Sequence, residues 1–231
     1  MKAAYGALDL SEFGARVSEL RTLLEPPSDA GDYVAYTDGA CFGNPSGRGG
    51  WAAVVFPAGG QAAPWLLFGH LSSSSNNRAE ALGVLAALEW VPGGSHLYIH
   101  SDSELTVRQL QGRYKIKANV EIWDRIQRTR ADKHIELSPE WVRAHVGDPL
   151  NELADRLSKL GANSASLDAV ATLEDALPPV PAELAELVGL EPRTDWERDF
   201  VNSVRDQLRR GRSLSPKQQA VIDRIRTRPS G

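Results

Sequence analysis

The spacing of apolar residues divides the chain into a helical N-terminus and a longer region of strands and helices. Apolar positions recur every three or four residues from Leu10 to Leu24 and predict an amphipathic helix, which Pro26 and Pro27 end. We interpret it as a helix docked on its own domain, in preference to a partner-binding helix. Three strands of a predicted meander follow, separated by Gly, Pro and Asn residues, at 33–38, 50–56 and 63–71.

From residue 76 onward the pattern alternates between helix and strand. Leu82, Leu85 and Leu88 mark the buried stripe of the first of these helices. The predicted elements are, in order, a helix at 76–91, a strand at 96–101, helices near 103–112 and 119–131, a strand at 135–142 and a helix at 149–160, which Asp148 would cap. A meander followed by this alternation predicts an α/β fold, a five-stranded mixed sheet with helices on both faces.

The C-terminal part differs in composition. Residues 162–192 are rich in Ala and Pro, carry six acids and no Lys or Arg, and predict a linker with a short helix at 182–189. Residues 193–231 predict a helical hairpin, too short to build its own core and therefore leaning on a neighbour. Its first helix presents Trp196, Phe200, Val204 and Leu208, and its second begins at a capping box of Ser215 and Gln218. The predicted division is an N-terminal helical extension at 1–31, an α/β domain at 32–161, an acidic linker at 162–192 and a basic helical hairpin at 193–231.

Composition limits the possible classes of protein. No run of 18 apolar residues occurs, so no membrane-spanning helix is predicted, and Asp9 and Glu12 interrupt any secretory signal. A single cysteine, Cys41, excludes an intramolecular disulfide and a CxxC metal site. A cytoplasmic location is therefore expected. The net charge is −4, yet the stretches 105–130 and 193–231 are each strongly basic, so the protein can still present two basic surfaces.

Four carboxylates stand at informative places in these elements. Asp38 and Asp102 follow apolar strands, Glu80 lies in the first turn of a helix, and Asp155 lies off the buried stripe of the last predicted helix. Each has an ordinary explanation: an Asp-Gly turn with Gly39, an N-cap, an interaction with the helix dipole, or a solvated flank. Taken singly, none of the four indicates catalysis.

Taken together the four acids favour a metal site. The carboxyl ends of neighbouring strands, and the helices that follow them, meet at one edge of an α/β sheet. Acids that converge there with no Lys or Arg among them repel one another unless a cation is bound. Oxygen ligands alone favour Mg²⁺ or Mn²⁺ over Zn²⁺. Two such ions about 3.5–4 Å apart clamp a phosphodiester for in-line attack.

Five ordered motifs resemble those of type 1 ribonucleases H, over about residues 32–161. They are Thr37-Asp38-Gly39-Ala40-Cys41 with Gly43-Asn44-Pro45, Gly49-Gly50-Trp51, Asn76-Asn77-Arg78-Ala79-Glu80, Ser101-Asp102-Ser103, and Trp141-Val142-Arg143-Ala144-His145 leading to Asn151-Glu152 and Ala154-Asp155. The resemblance implies a ribonuclease H-like fold. It also implies hydrolysis of the RNA strand of RNA–DNA hybrids with two Mg²⁺ ions, or Mn²⁺ as substitute, leaving 5′-phosphate and 3′-hydroxyl ends.

The resemblance also implies roles for individual residues. The metal-binding acids would be Asp38, Glu80, Asp102 and Asp155, and His145 would be the catalytic histidine of a mobile loop. Contacts to RNA 2′-hydroxyls would come from Cys41, Asn44, Asn76 and Asn77, and a DNA-strand phosphate would lie against Ser75 and Asn119. Asn76 and Asn77 could instead cap the helix of Glu80, and we expect one of them to do both.

The sequence also departs from the family pattern. Residues 112–118 are too few for the basic protrusion that some members carry between two helices. The arginine-rich hairpin at 193–231 could replace the phosphate contacts of that protrusion. It could equally be a solvated helix pair that stabilises the fold or binds another protein.

The sequence disfavours three other functions. A catalytically inactive hybrid-binding or regulatory protein is disfavoured because all four acids and His145 are present. An integrase, resolvase or exonuclease on the same scaffold would lack the asparagine set at Asn44, Asn76 and Asn77. A sugar-kinase-type ATP-binding domain is disfavoured because the glycines at 47–50 precede a strand, whereas a phosphate cradle precedes a helix.

Overall fold

A single mixed sheet organises the protein. The computed structural model describes residues 10–59, 63–143, 148–163, 187, 190, 193–209 and 213–228. The strands are β1 (Asp32–Phe42), β2 (Arg48–Pro57), β3 (Trp65–Leu71), β4 (His96–Ser101) and β5 (Glu136–Trp141). They form one five-stranded sheet in the order β3-β2-β1-β4-β5. β1, β2 and β3 are an antiparallel meander, whereas β4 pairs parallel to both β1 and β5. The predicted α/β class and mixed sheet are confirmed.

Helices cover both faces of the sheet, as predicted. They are α1 (Ser11–Leu24), α2 (Asn76–Trp90), α3 (Glu104–Leu110), α4 (Val120–Asp132), α5 (Pro149–Asn163), α6 (Asp195–Arg209) and α7 (Pro216–Arg226). Side chains alternate along β1, so Tyr33 and Ala35 join a core with α1, α2 and α4. Val34 and Tyr36 face the opposite way and join a second core with α5 and residues of α6 and α7. Both faces of the central strand, β1, are therefore buried.

The strand that carries Asp38 is longer than the sequence pattern predicts. The apolar pattern predicts a strand that ends at Asp38, with Asp38-Gly39 as a possible turn, and this prediction is wrong. β1 continues to Phe42 because β2 goes on pairing with it as far as Phe42 and Arg48. Its pairing with β4 stops earlier, at Tyr36 and His100. Asp38 thus lies just beyond the point where the two parallel strands separate.

Two glycines, Gly39 and Gly50, allow helices to approach the sheet closely. A Cβ at Gly39 would lie only 2.2 Å from the backbone nitrogen of Glu80, so β1 and the start of α2 touch through their backbones. Similarly, a Cβ at Gly50 would lie 2.1 Å from the carbonyl oxygen of Ser158 in α5. Glycine is therefore required at both contacts. The first holds α2, which carries Glu80, against β1, and the second holds α5, which carries Asp155, against β2.

The N-terminal helix is docked on the domain, as predicted. Phe13, Val17 and Leu20 of α1 are buried in the core shared with α2 and α4. Leu24 is the exception: it belongs to the predicted apolar stripe but is 37% exposed. It is the last helical residue, and the chain turns away at Glu25, which has a φ of 45°.

The C-terminal hairpin leans on the sheet, as predicted, though not through every expected residue. Val204 and Ile222 join the core on the α5 face, and the Ser215–Gln218 capping box is present. Trp196, predicted to line the buried face, is 57% exposed and stacks on Phe200. Part of the positive charge is paired, since Arg228 contacts Glu197 and Arg226 lies 3.8 Å from Asp223. Most of the predicted linker at 162–192 and its short helix, and the side chain of Leu208, lie outside the described residues.

Within the described ranges, no helix has both the length and the apolar composition needed to span a bilayer.

Candidate functional site

Three carboxylates from different elements meet at one edge of the sheet. Asp38 extends from β1, Glu80 from the first turns of α2, and Asp102 follows the last residue of β4. One oxygen from each lies within 4.8 Å of the others. Asp38 and Glu80 are buried and Asp102 is half-buried. This is the convergence that the strand order predicts, because β1 and β4 are neighbouring parallel strands.

The fourth acid, Asp155, is not a member of this group of three. It lies on α5, and the ammonium of Lys159, one helical turn later, is 2.7 Å from its Oδ2 atom. The expectation that no Lys or Arg would stand among the four acids is therefore wrong for Asp155. Positions four apart share a helix face, so the pairing follows from the helix itself. The negative charge of Asp155 still contributes to raising the pKa of Asp38.

Neighbouring side chains hold two of the acids in place. The hydroxyl of Ser158 donates to Asp38 Oδ2 at 2.5 Å, and the amide of Asn151 donates to Asp102 Oδ2 at 3.0 Å. The indole N–H of Trp141 donates to the carbonyl oxygen of Asp102 at 3.1 Å. None of these roles is predicted from the sequence. A signal was present for Ser158 and Asn151, which are polar residues on the buried side of an amphipathic helix.

The electrostatics of the group suit a cation. Burial raises the pKa of Asp38 to about 6, the hydrogen bond from Ser158 opposes this rise, and the charges of Asp102 and Asp155 add to it. Burial, followed by the charges of Asp38 and Asp102, raises the pKa of Glu80 well above its usual range. Glu80 Oε2 is buried and has no hydrogen-bond partner among the described residues. An unpartnered buried oxygen among repelling carboxylates fits a hard divalent cation.

Removing the charge of Asp38 should stabilise the metal-free protein near neutral pH. The pKa of Asp38 is raised from 3.8 to about 6 on folding. A raised acid contributes most to stability below its unfolded pKa, and that contribution is lost as the pH rises through about 6. In EDTA at pH 7, Asp38→Asn is expected to increase the free energy of unfolding by about 1–3 kcal/mol. Near pH 4 this gain should vanish.

Urea unfolding at both pH values measures this difference. Exposed Asp124 on α4 is the matched control, since Asp124→Asn removes the same charge from a residue outside the carboxylate group. Parallel stability curves for wild type and Asp38→Asn between pH 4 and pH 7 would contradict the electrostatic account.

The residues predicted to contact RNA lie where the β1–β2 turn meets the start of α2. Asn44 Oδ1 accepts from the backbone N–H of Asn76 at 3.3 Å, and Asn44, Asn76 and Asn77 are exposed. Cys41 is half-buried, with its thiol 3.3 Å from the carbonyl oxygen of Ser74. Cys41 lies on β1 with Asp38, and Asn76 and Asn77 lie on α2 with Glu80. The same two elements therefore carry two of the acids and three of the residues predicted to contact RNA.

The predicted cap of α2 is wrong. Ser75, and neither Asn76 nor Asn77, is the N-cap, since its hydroxyl accepts from the backbone N–H of Arg78 at 3.3 Å. The helix begins one residue earlier than the capping prediction requires, which places both asparagines in its first turn. Asn119 precedes α4 in a left-handed conformation, with a φ of 52°, and its side chain makes no capping bond. His145 lies in 144–147, outside the described residues.

Comparisons with known proteins identify similar chains. The RNase H family model matches residues 30–163. The Ribonuclease HI of Pseudomonas aeruginosa is 32% identical over 148 residues, covering 58% of this chain and 95% of the relative. A Ribonuclease H from a Caulobacter species is 36% identical over 141 residues, covering 55% and 88%.

One solved structure adds to this agreement. It is the N-terminal RNase H domain of Rv2228c from Mycobacterium tuberculosis, solved as a fusion with maltose-binding protein, at 25% identity and a TM-score of 0.50. The alignment covers 63% of this chain and 98% of that one. The region matched by the family model contains all four predicted metal-binding acids, whereas α1, α6 and α7 lie outside it.

Proposed function

Because this chain belongs to the ribonuclease H family, we propose that it is an endoribonuclease that hydrolyses the RNA strand of RNA–DNA hybrids. Cleavage leaves 5′-phosphate and 3′-hydroxyl ends. The observation that carries the proposal is the meeting of Asp38, Glu80 and Asp102 within 4.8 Å at one sheet edge. A pocket of carboxylates with a buried, unpartnered oxygen suits charge neutralisation by divalent cations better than any packing role.

The proposed cofactor is a pair of Mg²⁺ ions, with Mn²⁺ as substitute. Asp38, Glu80 and Asp102 would hold them, with Asp155 contributing from α5. When bound, such ions activate water and stabilise the leaving oxygen of a phosphodiester. The donor set supports this proposal, because it offers carboxylate oxygens and neither His nor Cys among the grouped residues.

The surrounding residues keep the carboxylates in position. Asn151 and Trp141 hold the side chain and the backbone of Asp102, respectively. The ammonium of Lys159 partly neutralises the carboxylate of Asp155. To contribute to cation binding, Asp155 would have to leave this ion pair and turn toward the other acids. His145, which precedes α5 in the sequence, is proposed to move protons or to assist product release.

Hybrid recognition is proposed to use residues of β1, of the β1–β2 turn and of the starts of α2 and α4. Asn44, Asn76, Asn77 and Cys41 would contact 2′-hydroxyls of the RNA strand. Ser75 and Asn119 would hold a phosphate of the DNA strand. Support comes from the exposure of the three asparagines and from the position of Asn119 at the start of a helix, where backbone N–H groups attract anions. A cytoplasmic location is part of the same proposal.

The hairpin is proposed to make an accessory contact with the nucleic acid. Arg224 and Lys217 are exposed on α7 and could add phosphate contacts, although two neighbouring arginines are paired with acids.

The alternative function is a catalytically inactive hybrid-binding protein. It would bind a hybrid through the same asparagines without cutting it.

A panel of labelled substrates tests the proposal directly. With Mg²⁺, the RNA strand of a hybrid should be cut at internal positions, while duplex DNA and single strands stay intact. EDTA should abolish the cleavage, and analysis of the product ends should give 5′-phosphates. Hybrid binding without cutting would favour the inactive alternative, and cutting of duplex DNA would favour a resolvase-like or exonuclease-like enzyme.

A further inference from the structure

We infer that Ser158 is a positioning residue for Asp38, which it orients for cation binding. Ser158 lies on α5, is fully buried, and is 120 positions away from Asp38 in the chain. Its Oγ atom is 2.5 Å from Asp38 Oδ2, at the short end of hydrogen bonds to a carboxylate. The inference rests on the proposed function, because it takes Asp38 to be a metal ligand.

The backbone of Ser158 is held rigidly against the sheet. A Cβ placed on Gly50 would lie 2.1 Å from the Ser158 carbonyl oxygen, so α5 and β2 are in backbone contact at this point. Leu157 and Ala162, on either side along the helix, are fully buried. Because a serine side chain has a single rotatable carbon–carbon bond, its hydroxyl has little freedom once the backbone is fixed.

The single hydroxyl hydrogen has two acceptors within reach. One is Asp38 Oδ2, and the other is the carbonyl oxygen of Asp155 at 2.9 Å, the usual partner of a serine inside a helix. The ionised carboxylate is the stronger acceptor, so the hydrogen points to Asp38. This bond holds Asp38 Oδ2 toward α5, in a carboxylate that has one oxygen within 4.8 Å of an oxygen of Glu80 and of Asp102.

A serine is not required here for packing. The buried side of α5 is otherwise built from residues such as Leu150, Leu153 and Ala154, and a buried hydroxyl costs free energy unless it is hydrogen-bonded. Its helix partner alone would satisfy the hydroxyl. The cross-element bond to Asp38 therefore adds orientation to a carboxylate that burial and neighbouring charges otherwise disfavour.

Binding of Mn²⁺ alone, followed by the electron paramagnetic resonance signal of the free ion, measures this role without substrate. Ser158→Ala is expected to raise the Kd for Mn²⁺ by about 10- to 100-fold, as loss of a hydrogen bond to a metal-binding carboxylate implies. In an Asp38→Asn background the same substitution should change the Kd by less than about twofold, because the charge that it orients is gone. Ser95→Ala is the matched control: Ser95 is also buried, but it lies before β4, at the opposite end of that strand from Asp102.

Hybrid cleavage against Mg²⁺ concentration separates positioning from a structural role. Ser158→Ala should need more Mg²⁺ for half-maximal rate but approach the wild-type kcat at saturation. An unchanged Mn²⁺ affinity, or an equal loss in the Asp38→Asn background, would overturn the inference. If wild type binds Mn²⁺ yet fails to cut hybrids, the proposed function fails, and the Mn²⁺ comparison still decides the role of Ser158.

Discussion

Asp102→Asn is expected to lower the rate of hybrid cleavage by roughly 10³-fold or more while leaving hybrid affinity within about threefold. The substitution removes a formal charge from the carboxylate group but keeps the size of the side chain. Asn Oδ1 can still accept the hydrogen bond from Asn151, and the carbonyl that accepts from Trp141 is unchanged. Asp102 is half-buried and belongs to neither hydrophobic core, so the fold should not depend on its charge.

Single-turnover cleavage of a labelled hybrid in Mg²⁺, paired with fluorescence anisotropy of the same hybrid in EDTA, measures the two quantities separately. Asp132→Asn, at the exposed end of α4, controls for loss of one negative charge from the protein. Turnover within tenfold of wild type would mean that Asp102 is not a ligand of a required cation. Loss of binding together with loss of cleavage would indicate a substrate-contacting role instead.

Phe13→Ala is expected to lower the free energy of unfolding by about 3–5 kcal/mol, although Phe13 lies outside the region that the family model matches. Its ring is almost fully buried, with its centroid 5.1 Å from that of Trp51 in β2. The guanidinium of Arg125, on α4, lies 5.7 Å from the ring centre. Removing the ring would leave a cavity between α1, the sheet and α4, and side chains on three elements cannot all move to fill it.

The matched control for this prediction is on the same helix. Leu23 is 58% exposed, so Leu23→Ala should change the free energy of unfolding by less than about 0.5 kcal/mol. Urea unfolding in EDTA gives both values. A small effect of Phe13→Ala would mean that α1 is an appendage, and the docked helix would no longer count as part of the folding unit.

Much of the architecture follows from the apolar pattern, because apolar residues every three or four positions indicate the buried face of a helix and short apolar runs between turn residues indicate buried strands. The stripe of Leu82, Leu85 and Leu88 predicts α2, and all three residues are buried there. The pattern failed at the ends of elements. A polar residue and a glycine after an apolar run predict that the strand ends at Asp38, and only pairing with β2 shows that β1 continues. Likewise, the choice among Ser75, Asn76 and Asn77 as cap depends on where the backbone turns, which composition does not specify.

For the candidate site, sequence motifs identified the acids but not the atoms around them. The pairing of Lys159 with Asp155 follows from helical spacing and could have been predicted from the sequence. The bonds from Ser158, Asn151 and Trp141 join residues at least 39 positions apart, and no local pattern specifies them. Their positions are set by how α5 and β5 lie against the rest of the sheet.

By itself, the sequence determined which segments become strands and helices, which acids could meet, and which family the chain resembles. The tertiary structure alone decided that Asp38, Glu80 and Asp102 meet at one edge of the sheet, that Asp155 is not a member of this group, and that Ser158 reaches Asp38. The physical reason is distance. A periodic pattern specifies the direction of a side chain, whereas its separation from a partner depends on how closely two backbones approach, as at Gly39 and Gly50.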